Sequence, residues 1–191
     1  QAFAADLDLS SYVNPGQIPT LAFNPLTPAK IQLGQKLFHD TRLSGRNTVS
    51  CASCHQPGYV WTDPNRFSVG EAGEPRPRRT PTLQDIAWNK LYARDGRVET
   101  LEGFILGPIA HPKEMNQSLV MLPKEIAESK AYDKLYPAAF GNASVTLDGL
   151  VQALASYVRT LRSRVSPFDR WVAGEMTALT SDMKEGFDLF N

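Results

Sequence analysis

Two cysteines and a histidine stand together as Cys51-Ala52-Ser53-Cys54-His55, and the chain has no other cysteine. Three chemistries use such a pair. A dithiol redox centre needs a flanking βαβ pattern and leaves the histidine without a role. A structural zinc site needs four ligands, and no second Cys/His cluster completes one. Covalent haem attachment uses every residue present: two thiols one helical turn apart add to the two haem vinyl groups, and the adjoining histidine meets the iron. The spacing therefore predicts one haem c on Cys51, Cys54 and His55, with His55 as the metal ligand. Such attachment takes place outside the cytoplasm, which predicts an exported, periplasmic protein. Ala2-Phe3-Ala4, ahead of Asp6-Leu7-Asp8, has the small-x-small pattern of a signal-peptidase site.

The elements that position this segment read as helices and long loops. Thr27-Pro28 starts a helix, Thr as N-cap and Pro in its first turn, with Ile31, Leu37 and Phe38 as its buried face. Residues 57–82, rich in Pro, Gly and Arg, read as a long loop of a length that is usually functional or disordered. Leu101 to Ile109 reads as a short helix stopped by Gly107-Pro108, and 123–136 as another, burying Ile126, Leu135 and Tyr136. The clearest helix runs from Thr146 to about Arg162. Leu147, Leu150, Val151, Leu154, Val158 and Leu161 line one face, and Arg159, Arg162 and Arg164 crowd its end. Residues 1–24 read as an extended tail. No strand alternation appears, so the class is mainly α: a c-type cytochrome domain with long loops.

Composition narrows the partners. Lys plus Arg and Asp plus Glu number 20 each, so no basic field favours nucleic acid or an anionic membrane. No apolar run reaches the roughly 18 residues of a bilayer span, which predicts no membrane insertion. One pattern repeats: Thr27…Gly34-x-x-Leu37-Phe38 precedes the cysteines, and Thr180…Gly186-x-x-Leu189-Phe190 echoes it near the last residue.

From about residue 26 onward the chain resembles the bacterial dihaem cytochrome c peroxidase and MauG-like family. Leu37-Phe38, Arg42-Leu43-Ser44 and Val49 to His55 resemble that family's first haem segment. Arg78-Arg79-Thr80-Pro81-Thr82 resembles its post-loop segment. Asp95-Gly96-Arg97, Leu101-Glu102, Gly107-Pro108-Ile109 and Pro112-x-Glu114-Met115 resemble the segment lining its peroxide pocket. The resemblance implies the N-terminal half of a two-domain, dihaem architecture. The peroxide-reacting domain would span 25–175, and 176–191 would start a second haem domain. It implies His55 as proximal ligand, Glu114 as distal acid–base group, and Arg97 with Arg79 or Arg78 at the haem propionates. It also implies a second haem on the other domain and Ca2+ between the domains. Hydrogen peroxide and a redox partner or substrate protein would be the reactants.

The chain departs from that pattern in places. Its three histidines are His39, His55 and His111, so the loop where the peroxidase branch carries an iron-capping histidine has none. An iron open on its distal side, as in the MauG-like branch, is expected. Phe104 stands where a glutamine is usual, and Arg94 where an inter-haem tryptophan is usual. Trp88 reads as core, and His111 as packing or surface. A different class of protein, a monohaem His/Met electron carrier, would use Met115, Met121, Met176 or Met183 as sixth ligand, but such carriers need only about 100 residues.

Overall fold

The structure, a computed structural model, describes residues 9–13 and 16–190. The chain forms two compact units: one is Ile18–Arg162, and the other joins Gln1–Gln17 to Ser163–Asn191. The Ala2-Phe3-Ala4 and Asp6-Leu7-Asp8 signals lie outside the described residues. Among the described residues the regular elements are all helical, with only isolated bridges between extended segments.

In the larger unit, helix α1 (Pro28–Phe38) begins where Thr27 accepts the Lys30 N–H at 3.3 Å. It buries Leu33 as well as Leu37 and Phe38, while Ile31 is half-buried. The single-turn α2 (Cys51–Cys54) carries the two cysteines. Helix α3 (Leu101–Ala110) is capped by Thr100, which accepts the Gly103 N–H at 3.1 Å.

Helix α3 does not stop at Gly107-Pro108, as expected, but runs through it to Ala110. Proline forfeits one ladder donor without ending the turn, and the His111 N–H still reaches the Gly107 carbonyl at 3.0 Å. The single helix expected over 123–136 is instead α4 (Leu122–Ala127), a 3-10 turn at Lys130–Tyr132, and α5 (Leu135–Phe140). The break falls at Ser129, which is extended and whose hydroxyl accepts from the Arg42 guanidinium. The α6 helix (Leu147–Arg159) ends earlier than expected, because the Thr160 N–H closes onto the Tyr157 carbonyl at 2.8 Å.

The core lies between α1 and α6, with α3 against α6. Gly34 makes the first contact possible: a Cβ there would run into the Ala153 carbonyl. Behind that interface Arg159 meets Glu102 in a two-pronged pair at 2.6 and 2.8 Å. The Asn24 amide adds a donor to Glu102 at 2.7 Å, and Lys30 donates to Asn24 at 3.1 Å. Arg159, one of the charges read at the end of this helix, is 3% exposed. Burial alone would raise the Glu102 carboxyl; the Arg159 and Asn24 donors outweigh it and hold it below the ordinary carboxylate range. A second knot ties Asp40, accepting the Tyr132 hydroxyl at 2.5 Å, to Arg42 at 2.8 Å.

The smaller unit holds α7 (Pro167–Val172) and α8 (Ser181–Phe190). A reciprocal cap starts α7: Ser166 Oγ accepts the Asp169 N–H at 3.1 Å, and the Ser166 N–H donates to the Asp169 carboxylate at 2.6 Å. Phe168, Trp171 and Phe187 form an aromatic cluster with Tyr12, ring centroids 5.3–5.9 Å apart. Leu189 and Phe190, the end of the echoed pattern, are 87% exposed.

Candidate functional site

The cysteine turn is built locally. The Ser50 N–H donates to Ser53 Oγ at 3.0 Å and starts the turn, and the His55 N–H closes it onto the Cys51 carbonyl at 3.0 Å. Three-residue spacing on one turn brings the two thiols to one face. Both are free, half-buried thiols. Burial pushes the Cys51 thiol up to about 12. Burial also raises Cys54, against an opposing hydrogen bond from Ser68. Protonated thiols of this kind are poor redox nucleophiles.

His55 is aimed by the chain that follows it. Val60 and Trp61 both adopt left-handed backbone, at φ 56° and 57°, and the turn they make returns the Trp61 carbonyl to the imidazole. His55 Nδ1 donates to that carbonyl at 2.9 Å, which leaves Nε2 as the lone-pair nitrogen. Burial lowers the imidazole below its ordinary value, opposed by the Trp61 backbone bond, by Asp63 and by the Pro81 backbone, and so favours the neutral form of the ring.

Cys51, Cys54 and His55 open onto a cavity of about 720 Å³. Its apolar wall comes from α1, α3 and α6 through Phe38, Leu101, Phe104, Ile109, Leu154 and Val158. Two thiols, an adjoining imidazole and an apolar slot are the donor set and the shape a covalent haem requires. Among the described residues, no group of three or more His, Cys, Asp or Glu is placed to hold a metal ion directly.

Loops supply the polar part of the lining. Glu114 lies there with Pro108 and Phe104. Its carboxylate accepts from the Arg76 guanidinium at 2.6 Å, and the other end of that guanidinium is 3.4 Å from His111 Nδ1. Arg79 and Arg97 also line the cavity. Arg97 is exposed and paired with Asp95 at 2.8 Å; the Arg79 carbonyl accepts from Arg94 at 2.6 Å. His111 is exposed and accepts the Lys113 N–H at 3.1 Å. Of the four methionines, Met115 is buried on the cavity wall; Met121, Met176 and Met183 are exposed. Trp88 is half-buried, its indole N–H unpartnered under the Arg162 guanidinium. Arg76 was not singled out by sequence reasoning. Nothing in its spacing marks it among the arginines of a loop.

A family model described as di-haem cytochrome c peroxidase matches residues 28–177. The chain belongs to the di-haem cytochrome c peroxidase family. Membership in this family implies covalently bound haem c, which the Cys51–His55 turn and the slot above it fit. Among relatives, the methylamine utilization protein MauG of Methylorubrum extorquens is 39% identical, over 99% of this chain and 55% of its own. The cytochrome c551 peroxidase of Nitrosomonas europaea is 35% identical, over 90% of this chain and 52% of its own. Among solved structures, a MauG-like protein associated with microbial copper homeostasis superposes with a TM-score of 0.82 at 30% identity, over 99% of this chain and 55% of its own. The chain thus spans about half the length of the relatives it matches. As in this family, it is a mainly helical N-terminal haem-domain fold.

Proposed function

We propose that this chain is the peroxide-reacting half of a periplasmic dihaem oxidoreductase. The observation that carries the reading is the cavity that places Cys51, Cys54 and His55 with Glu114 around one apolar slot. Haem c, when bound there, supplies the two electrons that reduce the O–O bond of hydrogen peroxide. The chain's own residues do the rest. His55, held through Nδ1 by the Trp61 carbonyl, would offer Nε2 to the haem iron. Glu114 accepts a proton from one peroxide oxygen and returns it to the other, so that the O–O bond breaks and the outer oxygen leaves as water with the bonding pair. Phe104 and Phe38 keep the slot dry, which strengthens each charge inside it. Arg97 and Arg79, both on the cavity lining, would pair with the haem propionates.

Between the family's products, the MauG-like one is favoured: the oxidising equivalents drawn from peroxide are spent on a partner protein rather than quenched by electrons from a small redox protein. Residues 56–110 contain no histidine, which supports an iron open on its distal side. Arg94 and Phe104 depart from the peroxidase pattern. In this reading 176–191 opens a second haem domain, with the second haem beyond it and Ca2+ between the two domains. The echo of the Gly-x-x-Leu-Phe pattern in α8 supports that organisation.

Ligand binding tests the reading. The holoprotein is expected to bind carbon monoxide when reduced and cyanide when oxidised, without a preceding slow step. A reduced spectrum of the low-spin His/Met type, unresponsive to carbon monoxide at every haem, would overturn it and point to Met115 as a sixth ligand.

A further inference from the structure

We infer that Arg76 is the positioning residue of the distal site: it fixes the Glu114 carboxylate at the cavity and supplies the cation that offsets it, so that the site tolerates an anion bound at the iron. This rests on the reading of Glu114 given above. Three contacts show that the 68–76 loop is laid on the Glu114 segment. The Glu71 N–H donates to the Glu114 carbonyl at 2.7 Å. A Cβ on Gly70 would run into the Lys113 carbonyl, so backbone lies directly on backbone there. The Arg76 N–H returns to the Ser68 carbonyl at 2.8 Å, folding the loop so that its guanidinium reaches Glu114 at 2.6 Å.

The pair is a functional candidate, unlike the surface pairs nearby. Both side chains line the cavity and both are mostly shielded, at 21% and 31% exposure. Lys113 turns away to Glu74 at 3.2 Å, with both partners well exposed. His111 touches the far nitrogen of the same guanidinium at 3.4 Å. Glu114 therefore has one close cationic partner at the cavity, and that partner is held by the loop. Phe104, beside them on the cavity lining, brings no polar atom. A carboxylate facing an apolar slot alone would repel a negatively charged ligand. With a guanidinium bonded to it, the rim is electrically balanced, and negative charge developing on the leaving oxygen has a donor within the same pair.

The test is ligand discrimination in the ferric holoprotein, with absorbance as the readout. Fluoride serves as the anionic probe and imidazole, in its neutral form, as the uncharged one. Arg76→Ala and the neutral, similarly sized Arg76→Gln are expected to weaken fluoride binding tenfold or more while changing imidazole binding less than twofold. Arg76→Lys should recover fluoride to within threefold of wild type. Arg66→Ala, outside the cavity and over the Phe67 ring, should change neither. A cycle adds the coupling: Arg76→Ala should slow the peroxide-induced absorbance change tenfold or more in wild type but less than threefold in a Glu114→Gln background. Fluoride affinity within twofold of wild type in Arg76→Ala, equal loss of both ligands, or additive rates would overturn the inference alone. A wild-type ferric protein that binds neither ligand would overturn the open-iron reading and this inference with it.

Discussion

At the scale of single residues, the chain separates two kinds of buried charge. Glu114 and Arg76 face the cavity; Glu102 and Arg159 face each other, Asn24 and the core. The second pair should therefore govern stability. Glu102→Gln leaves the Arg159 cation buried without its counter-charge, an expected loss of about 3 kcal/mol in urea or thermal unfolding. Replacing both, Glu102→Leu with Arg159→Met, should return stability to within about 1.5 kcal/mol of wild type. The pH dependence follows from the sign of the shift. The folded Glu102 carboxyl lies below its ordinary value. Its contribution is therefore complete above about pH 4.3 and lost as pH falls through the folded value. Unfolding followed from pH 6 down to pH 2 should show a shallower acid limb in Glu102→Gln than in wild type.

At the scale of elements, α1 and α6 form a pair that tolerates no side chain at Gly34. The obstacle is the Ala153 carbonyl, backbone rather than a movable side chain. Gly34→Ala should cost about 3 kcal/mol, read as a drop of several degrees in melting temperature. Gly186 occupies the equivalent place in the echoed pattern, and among the described residues nothing lies within 4 Å of a Cβ there. Gly186→Ala should leave its melting temperature unchanged or raise it slightly.

The same elements show what was legible beforehand. Thr27-Pro28 and Thr146 announce helices because a cap is a local bond between residues three apart. Cys51 to His55 is legible because attachment needs two thiols on one turn. Ser166-Pro167 with Asp169 carries the same kind of local signal for α7, although periodicity alone passed over that short helix. The Ser129 break was not legible: its cause is Arg42, far away in the chain. Arg159 followed the helix-end rule on paper, but its partner Glu102 lies 57 positions away and draws it into the core. Arg76 and Glu114, 38 positions apart, meet only because the loop folds back on itself.

At the scale of the whole molecule, the chain covers 55% of its Methylorubrum extorquens relative and of its copper-associated structural neighbour. The proposal that a second haem domain follows is expected to appear as two haems and two irons per polypeptide on a protein of about twice this length. Pyridine haemochrome and iron assays combined with intact mass check it; one haem on a polypeptide of 191 residues would contradict it. The central claim concerns the half described here. Its most direct test is rapid mixing of the ferric holoprotein with one equivalent of hydrogen peroxide, wild type beside Glu114→Gln, while the haem absorbance is followed. A prompt change is expected in wild type, and a rate at least about a hundredfold lower in the variant. Equal rates in the two proteins, or no change in either, would contradict it.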